Sequence, residues 1–321
     1  FRTDFVVNEQ DEVRLIEVTC RFPLNAFFRS VAANSLVNFA ELERAHGLTS
    51  TRYADALLHK FLNWMGDAKR VIVILGKDQR DNESKYLAEL LPKAQLEFQF
   101  RSYDEWLEHG EEWSKESAII AELTFEEWLA MPKNLVRNLL SRPFLNDPRI
   151  VLAVHDKSFF GVVNIEEITR LALSDEETAF IRQAFAETYF FDRQPEMVAL
   201  AKQTPEDWIL KPRRLGRSVN IVAGSLATPE EWQEAIASAE ANNDMILQRW
   251  HISKKISGEI GGNTYEDYYA GTLLYWGSEF FGPGIFRASS YPISNVKDNR
   301  MVPYFIDQHA RPSEHTDLQW M

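Results

Sequence analysis

Arg70-Val71-Ile72-Val73-Ile74-Leu75 places five aliphatic residues in a row behind one arginine. A run with no polar alternation reads as a strand covered on both faces, as strands inside a parallel sheet are. Residues 82–91 follow with helical spacing, and residues 96–100 form a second short apolar strand. Strand, helix and strand joined by short connections predict a βαβ crossover. Residues 118–123 extend the pattern as another strand, 125–140 as a helical stretch and 150–155 as a further strand. Residues 67–155 are therefore expected to form a small α/β unit.

On the amino-terminal side, residues 1–7 and Val13–Thr19 are short apolar strands joined by the polar turn Asn8-Glu9-Gln10-Asp11-Glu12, the pattern of a hairpin. Residues 22–45 and 53–64 carry apolar side chains at helical spacing, and the first region is set at 1–66. The third region, 156–321, opens with helical patterns at 164–173 and 175–186. Residues 208–211 and 219–223 are a candidate strand pair. Residues 228–241 read as a helix with Thr228 as its N-cap, Pro229 in its first turn and Glu231 closing a capping box. Strands are expected at 245–250, 268–276 and 301–306. The class is mixed α+β and α/β.

Bulk properties narrow the function. The chain has 321 residues, 35 basic against 48 acidic, and a net charge of −13. That balance argues against a general binder of nucleic-acid backbones, which needs clustered Lys and Arg. Cys20 is the single cysteine, so no intrachain disulfide or thiolate zinc cage can form, and a reducing cytoplasm is the expected setting. No apolar run approaches the roughly 20 residues that cross a bilayer. Phe1 opens inside an apparent strand, which points to a preceding segment.

Some residues invite chemistry. Asp4 and Glu17 lie on opposite strands of the hairpin, so pairing brings two carboxylates together, with Thr19 and Arg2 on the same face. Carboxylates beside phosphates are the usual setting of Mg²⁺; solvent-facing ion pairs on a hairpin are the commoner reading. Lys211 ends the apolar strand Trp208-Ile209-Leu210 and precedes a loop rich in donors, Arg213, Arg214, Gly216, Arg217 and Ser218. That arrangement suits a phosphate grip, and it equally suits a cationic surface loop. Gln248 lies inside an apolar strand. Gly76-Lys77 lacks the upstream glycine of a phosphate loop. Gly258, Gly261 and Gly262 suit a hairpin turn or a closing loop. His309 and His315 fall in a polar tail.

Taken in order, these pieces resemble the circularly permuted ATP-grasp ligases, the group that includes the ligase domain of glutathionylspermidine synthetase. The resemblance rests on Arg2-Thr3-Asp4, Glu17-Val18-Thr19 with Pro23, Asp156-Lys157 and Leu210-Lys211-Pro212. Glu230-Glu231-Trp232, Leu247-Gln248-Arg249 and Arg287-Ala288-Ser289 with Asn295 and Val302-Pro303 complete it. It spans nearly the whole chain, through the order of its motifs rather than any one of them. The resemblance implies an ATP-grasp core with the small βαβ unit inserted, and an ATP- and Mg²⁺-dependent ligase that joins a carboxylate to an amine through an acyl phosphate. It implies Asp4, Glu17 and Thr19 as metal ligands and Arg2 beside the terminal phosphate. Lys157, Lys211, Gly216 and Arg217 fall to the nucleotide's phosphates, Gln248 to the adenine, and Arg287 to the acyl phosphate or acid substrate. Its substrates are small acids and amines, amino-acid or peptide-like, with no nucleic acid and no membrane. Thr19 stands where that family has Asn, and the loop after Lys211 lacks the usual glycine cluster. Both departures suit a second reading, a degenerate relative that binds nucleotide or a partner without ligating anything. A kinase that stops at phosphotransfer is a third.

Overall fold

A computed structural model describes residues 1–21, 27, 30, 39–49, 53–77, 83–90, 96–216, 218–294, 296–302 and 306–307. Most of the helix expected at 22–45 lies outside these residues, as do Pro23, Arg217, Asn295, Pro303 and the tail with His309 and His315. Within that stretch Phe39–His46 is helical.

The chain opens with β1 (Arg2–Val7) and β2 (Val13–Thr19), the expected hairpin. After β3 (Leu48–Thr49) come β4 (Arg70–Leu75), β5 (Glu97–Ser102), β6 (Ser117–Glu122) and β7 (Phe144–Leu145). The next group is β8 (Thr188–Tyr189), β9 (Trp208–Pro212), β10 (Val222–Ala223) and β11 (Met245–Arg249). Last are β12 (Lys255–Ile260), β13 (Asn263–Trp276), β14 (Glu279–Pro283), β15 (Phe286–Ser289), β16 (Arg300–Val302) and β17 (Ile306–Asp307).

The aliphatic run behaves as its composition requires. β4 is central in the parallel sheet β5-β4-β6-β7, with Val73 opposite both Phe100 and Ile120. Its side chains alternate between two cores. Val71 and Val73 join Leu57, Phe61 and Met65 of the helix Tyr53–Met65. Ile72 and Ile74 join Trp106, Leu135 and Leu139 on the other face. Each such side chain, fully buried, contributes about 2 kcal/mol. The first core also takes in Leu274 and Ile285, so it fastens the α/β unit to the large antiparallel sheet.

Two expectations in this unit need correction. Residues 150–155 are not a strand: Pro148–Ala153 is a helix. The Asp147 carboxylate accepts from the Arg149 amide and Pro148 occupies the first turn, a start signal that outweighs three aliphatic residues. Burial is one-sided accordingly, with Val151 inside and Ile150 exposed. The stretch 125–140 is two helices, Phe125–Ala130 and Lys133–Leu140, because Met131 precedes Pro132 and is extended.

The large sheet runs β16-β15-β13-β1-β2, with β12 and β14 also pairing with the 14-residue β13. β1 is thus flanked by β2 and by a strand more than 250 residues away, so the first and third regions share one sheet. The remaining antiparallel sheet is β10-β9-β11-β8. Trp208, Leu210 and Leu247 on one face pack beneath Trp232, Ile236 and Val198 of the helices Pro229–Asn242 and Pro195–Gln203. The first of these helices has the expected capping box of Thr228 and Glu231. Alternation then sends Ile209, Lys211 and Gln248 to the other face. Among the described residues no helix is long and apolar enough to cross a membrane.

Candidate functional site

That second face looks into a cavity of about 870 Å³. The hairpin supplies Arg2, Asp4, Glu17 and Thr19, the small sheet Lys211 and Gln248, the α/β unit Glu83 and Glu122, and β15 Arg287. Among the described lining residues, seven are Arg or Lys and four are Asp or Glu. The wall is therefore cationic in a chain whose net charge is −13.

The hairpin register opposes Asp4 to Glu17 and Arg2 to Thr19. Their partners are cations. Arg2 donates Nε to Asp4 Oδ1 at 2.7 Å and Nη2 to Oδ2 at 3.2 Å. Arg287 reaches across β13 and donates Nη2 to Asp4 Oδ2 at 3.0 Å. Thr19 Oγ1 accepts from Arg2 Nη2 at 3.2 Å. Glu17 Oε1 lies 3.2 Å from Lys157 Nζ. Burial alone raises the Glu17 carboxyl, but Lys157 and then Lys211 outweigh it and hold it at about 2. The three residues that the resemblance assigns to Mg²⁺ are thus engaged with cations in this arrangement. Both oxygens of Asp4 and the Thr19 hydroxyl are bonded to guanidinium groups. Among the described residues, no three His, Cys, Asp or Glu side chains cluster in a way that would hold a metal.

Lys211 is almost wholly buried, and its ammonium donates to Gln248 Oε1 at 2.7 Å and to the Ile16 carbonyl at 3.3 Å. Burial lowers it to about 8, with Lys157 pushing the same way and Glu17 opposing. Gln248 has an amide with both ends engaged, since Nε2 donates to Thr188 Oγ1 at 2.8 Å. His155 and His251 also line the cavity, and burial lowers each to about 4, so both imidazoles are neutral near pH 7.

The loop after β9 is clasped rather than loose. Asp156 accepts from Arg213 at 3.3 Å and from Arg214 at 3.1 Å, while the Lys157 amide donates to the Arg213 carbonyl at 2.9 Å. Lys157 Nζ donates to the Leu215 carbonyl at 2.7 Å, and Ser218 Oγ to the Ser294 carbonyl at 2.6 Å. Arg214 stacks over the Phe125 ring at 3.8 Å, tying the loop to the α/β unit. Gly216 lines the cavity in open space, where a Cβ would meet nothing within 4 Å, and its φ is ordinary. Nothing in the backbone there demands glycine. Cys20 is buried and free, with its thiol raised to about 11 by burial, which removes it as a nucleophile. Gly261 and Gly262, both at positive φ, form the turn between β12 and β13.

Of the residues named from sequence, Arg2, Asp4, Glu17, Thr19, Lys157, Lys211, Gly216, Gln248 and Arg287 all line this one cavity, and Arg217 lies outside the described residues. Sequence reasoning missed Thr188, His155, His251, Glu83 and Glu122. Two of them adjoin quoted motifs: His155 precedes Asp156-Lys157, and His251 follows the strand expected at 245–250.

A sequence model of the AnkG N-terminal domain family matches residues 1–153, just under half of the chain. It takes in the hairpin and the parallel sheet and stops short of Lys157, Lys211 and Gln248. No curated protein matches the chain in sequence. Among solved structures, a D-alanine–D-alanine ligase from Bacillus anthracis is 11% identical with a TM-score of 0.38, over 68% of this chain and 85% of that one. The N5-carboxyaminoimidazole synthase from Aspergillus clavatus, in complex with ADP and 5-aminoimidazole ribonucleotide, is 11% identical with a TM-score of 0.36. That likeness covers 72% of this chain and 59% of the synthase. Likeness this distant decides neither fold nor activity; the geometry has to carry both.

Proposed function

We propose that the cavity binds ATP and that the chain is an ATP-dependent ligase of the ATP-grasp kind, joining a small carboxylate to a small amine. The observation that carries this reading is the meeting of Glu17, Lys157 and Lys211. They come from three distant segments and face one cationic cavity in an acidic protein. Buried ammonium groups beside a carboxylate are poised for a polyanion, which would replace Glu17 as their counter-charge. Lys157 and Lys211 would hold the phosphates, with Arg214 above them. Arg2 and Arg287, already fixed by Asp4, would face the reacting acid.

The chemistry is phosphoryl transfer followed by acyl transfer. A carboxylate oxygen attacks the γ-phosphorus and the bond to the β-phosphate oxygen breaks, giving an acyl phosphate and ADP. The amine nitrogen then attacks the acyl carbon, phosphate leaves and the nitrogen loses a proton. The chain's own residues contribute position and positive charge. Mg²⁺ would come bound to the phosphates of ATP, because Asp4, Glu17 and Thr19 already face cations.

Calorimetry with ATP, followed by ADP release across amino acids paired with amines, tests the reading; hydroxylamine added during turnover would trap an acyl phosphate as hydroxamate. No ATP binding, or phosphorylated product without hydroxamate, would refute it. One observation favours the second reading, nucleotide binding without ligation: Asp4 serves two arginines instead of standing open. ATP binding with no ADP release over the whole panel would decide for it.

A further inference from the structure

Resting on the nucleotide-binding reading, we infer that Thr188 is a positioning residue: it fixes the amide of Gln248 so that a carbonyl oxygen, and not an NH₂, holds and aims the ammonium of Lys211.

Donors and acceptors fix the amide's orientation. Thr188 Oγ1 donates its single hydrogen to the Ala186 carbonyl at 3.0 Å, so toward Gln248 it can only accept. An ammonium can only donate. The two neighbours of the Gln248 amide therefore demand the same orientation, NH₂ toward Thr188 at 2.8 Å and C=O toward Lys211 at 2.7 Å. Reversal would set NH₂ against ammonium and oxygen against an occupied hydroxyl, losing both bonds. All three side chains are 5% exposed or less, so water does not compensate.

The relay also settles where Lys211 points. Of its three donors, one goes to Gln248 and one to the Ile16 carbonyl at 3.3 Å, which leaves the third for the cavity. The anchor is firm because the segment bearing Thr188 is itself tied to the hairpin, the Ala186 amide donating to the Leu15 carbonyl at 2.9 Å. β8, β11, β9 and β2 are thereby linked through one chain of polar contacts to a single ammonium. This gives Gln248 a different task from reading a base edge, and it gives Thr188 a task that a two-residue strand in the sequence does not disclose.

The test uses the whole chain labelled with ¹⁵N-glutamine and the variants Thr188→Val, Thr188→Ser and Thr188→Ala, with Gln248→Leu to assign the Gln248 side-chain signals. In the ligand-free protein the Gln248 NH₂ should exchange slowly. Thr188→Val and Thr188→Ala should accelerate that exchange at least tenfold, and Thr188→Ser should restore it. ATP affinity should fall about fivefold, the worth of one neutral hydrogen bond, in Val and Ala, and return in Ser. Unchanged exchange in both Val and Ala, or a Ser variant behaving like Val, would overturn the proposal. Should the unaltered chain bind no ATP, the proposed function falls, while the exchange measurement still decides the relay.

Discussion

β4 and β9 are both buried strands, each central in its sheet, and they are built in opposite ways. Val71 through Ile74 of β4 are wholly buried and wholly aliphatic, serving one core on each face. β9 is as deeply buried, yet its faces differ: Trp208 and Leu210 serve one core, while the other face sets Ile209, clustered with Ala223 and Ile293, beside Lys211 and Gln248 of β11. A charge in that position costs stability unless something answers it. The difference separates a sheet that packs aliphatic side chains on both faces from one that carries a buried charge on its second face.

The sharpest way to break the comparison is to put a charge into β4. Val73→Asp sets a carboxylate among Phe61, Met65 and Ile120 in an aliphatic and aromatic core, and the protein should fail to fold, a loss of about 5 kcal/mol or more. Circular dichroism of the purified chain checks it; a cooperative melt near that of the parent would mean the two sheets tolerate charge alike. Glu17→Gln comes next. It leaves Lys157 and Lys211 buried without their counter-charge, at a cost of about 3 kcal/mol in urea unfolding. Added ATP should recover much of that loss, since it restores the missing anion.

Lys211→Met separates the two roles. An apolar chain of similar length removes a buried charge but takes the donor from Gln248 Oε1 and the Ile16 carbonyl, so the melting temperature should change little, while ATP affinity drops about 30-fold for a lost charge-assisted contact. A variant that binds ATP normally would detach the second sheet from nucleotide binding. A variant that unfolds would show that Lys211 is a structural ion-pair member, as the Arg300–Asp267 pair pinning β16 to β13 is.

The same contrast explains what the sequence discloses. Arg70–Leu75 announces its environment because both faces need the same chemistry, and hydrophobic pattern is a record of burial. The capping box at Thr228 is legible for the same local reason. The helix Pro148–Ala153 is misread because Ile150-Val151-Leu152 suits strand or helix, and the deciding signal lies upstream in Asp147-Pro148. At the site, strand alternation puts Lys211 on the face opposite Leu210, but Asp4 meets Glu17 only because the hairpin register shifts between Asp4 and Phe5. It says nothing of which cation takes which carboxylate. Arg287 reaching Asp4, and Thr188 reaching Gln248, are contacts across 283 and 60 residues that no local pattern encodes.

The smallest expected effect is also the most discriminating, because two measurable quantities move in opposite senses with pH. Lys211 titrates at about 8 in the folded chain against 10.5 when exposed. Between those values the unfolded chain binds the extra proton, so the contribution of this group to folding stability rises with pH. Over the same interval the folded protein loses the ammonium that a polyphosphate needs, so ATP affinity falls, approaching about tenfold per pH unit above 8. The carboxylate and the imidazoles whose shifts are known lie outside this window. Glu17 titrates near 2, and the cavity's two histidines near 4. Melting temperature and ATP affinity measured from pH 7 to pH 9.5 should therefore diverge, and Lys211→Met should flatten both. If affinity and stability instead change together, the charge on Lys211 is not held in reserve for a ligand.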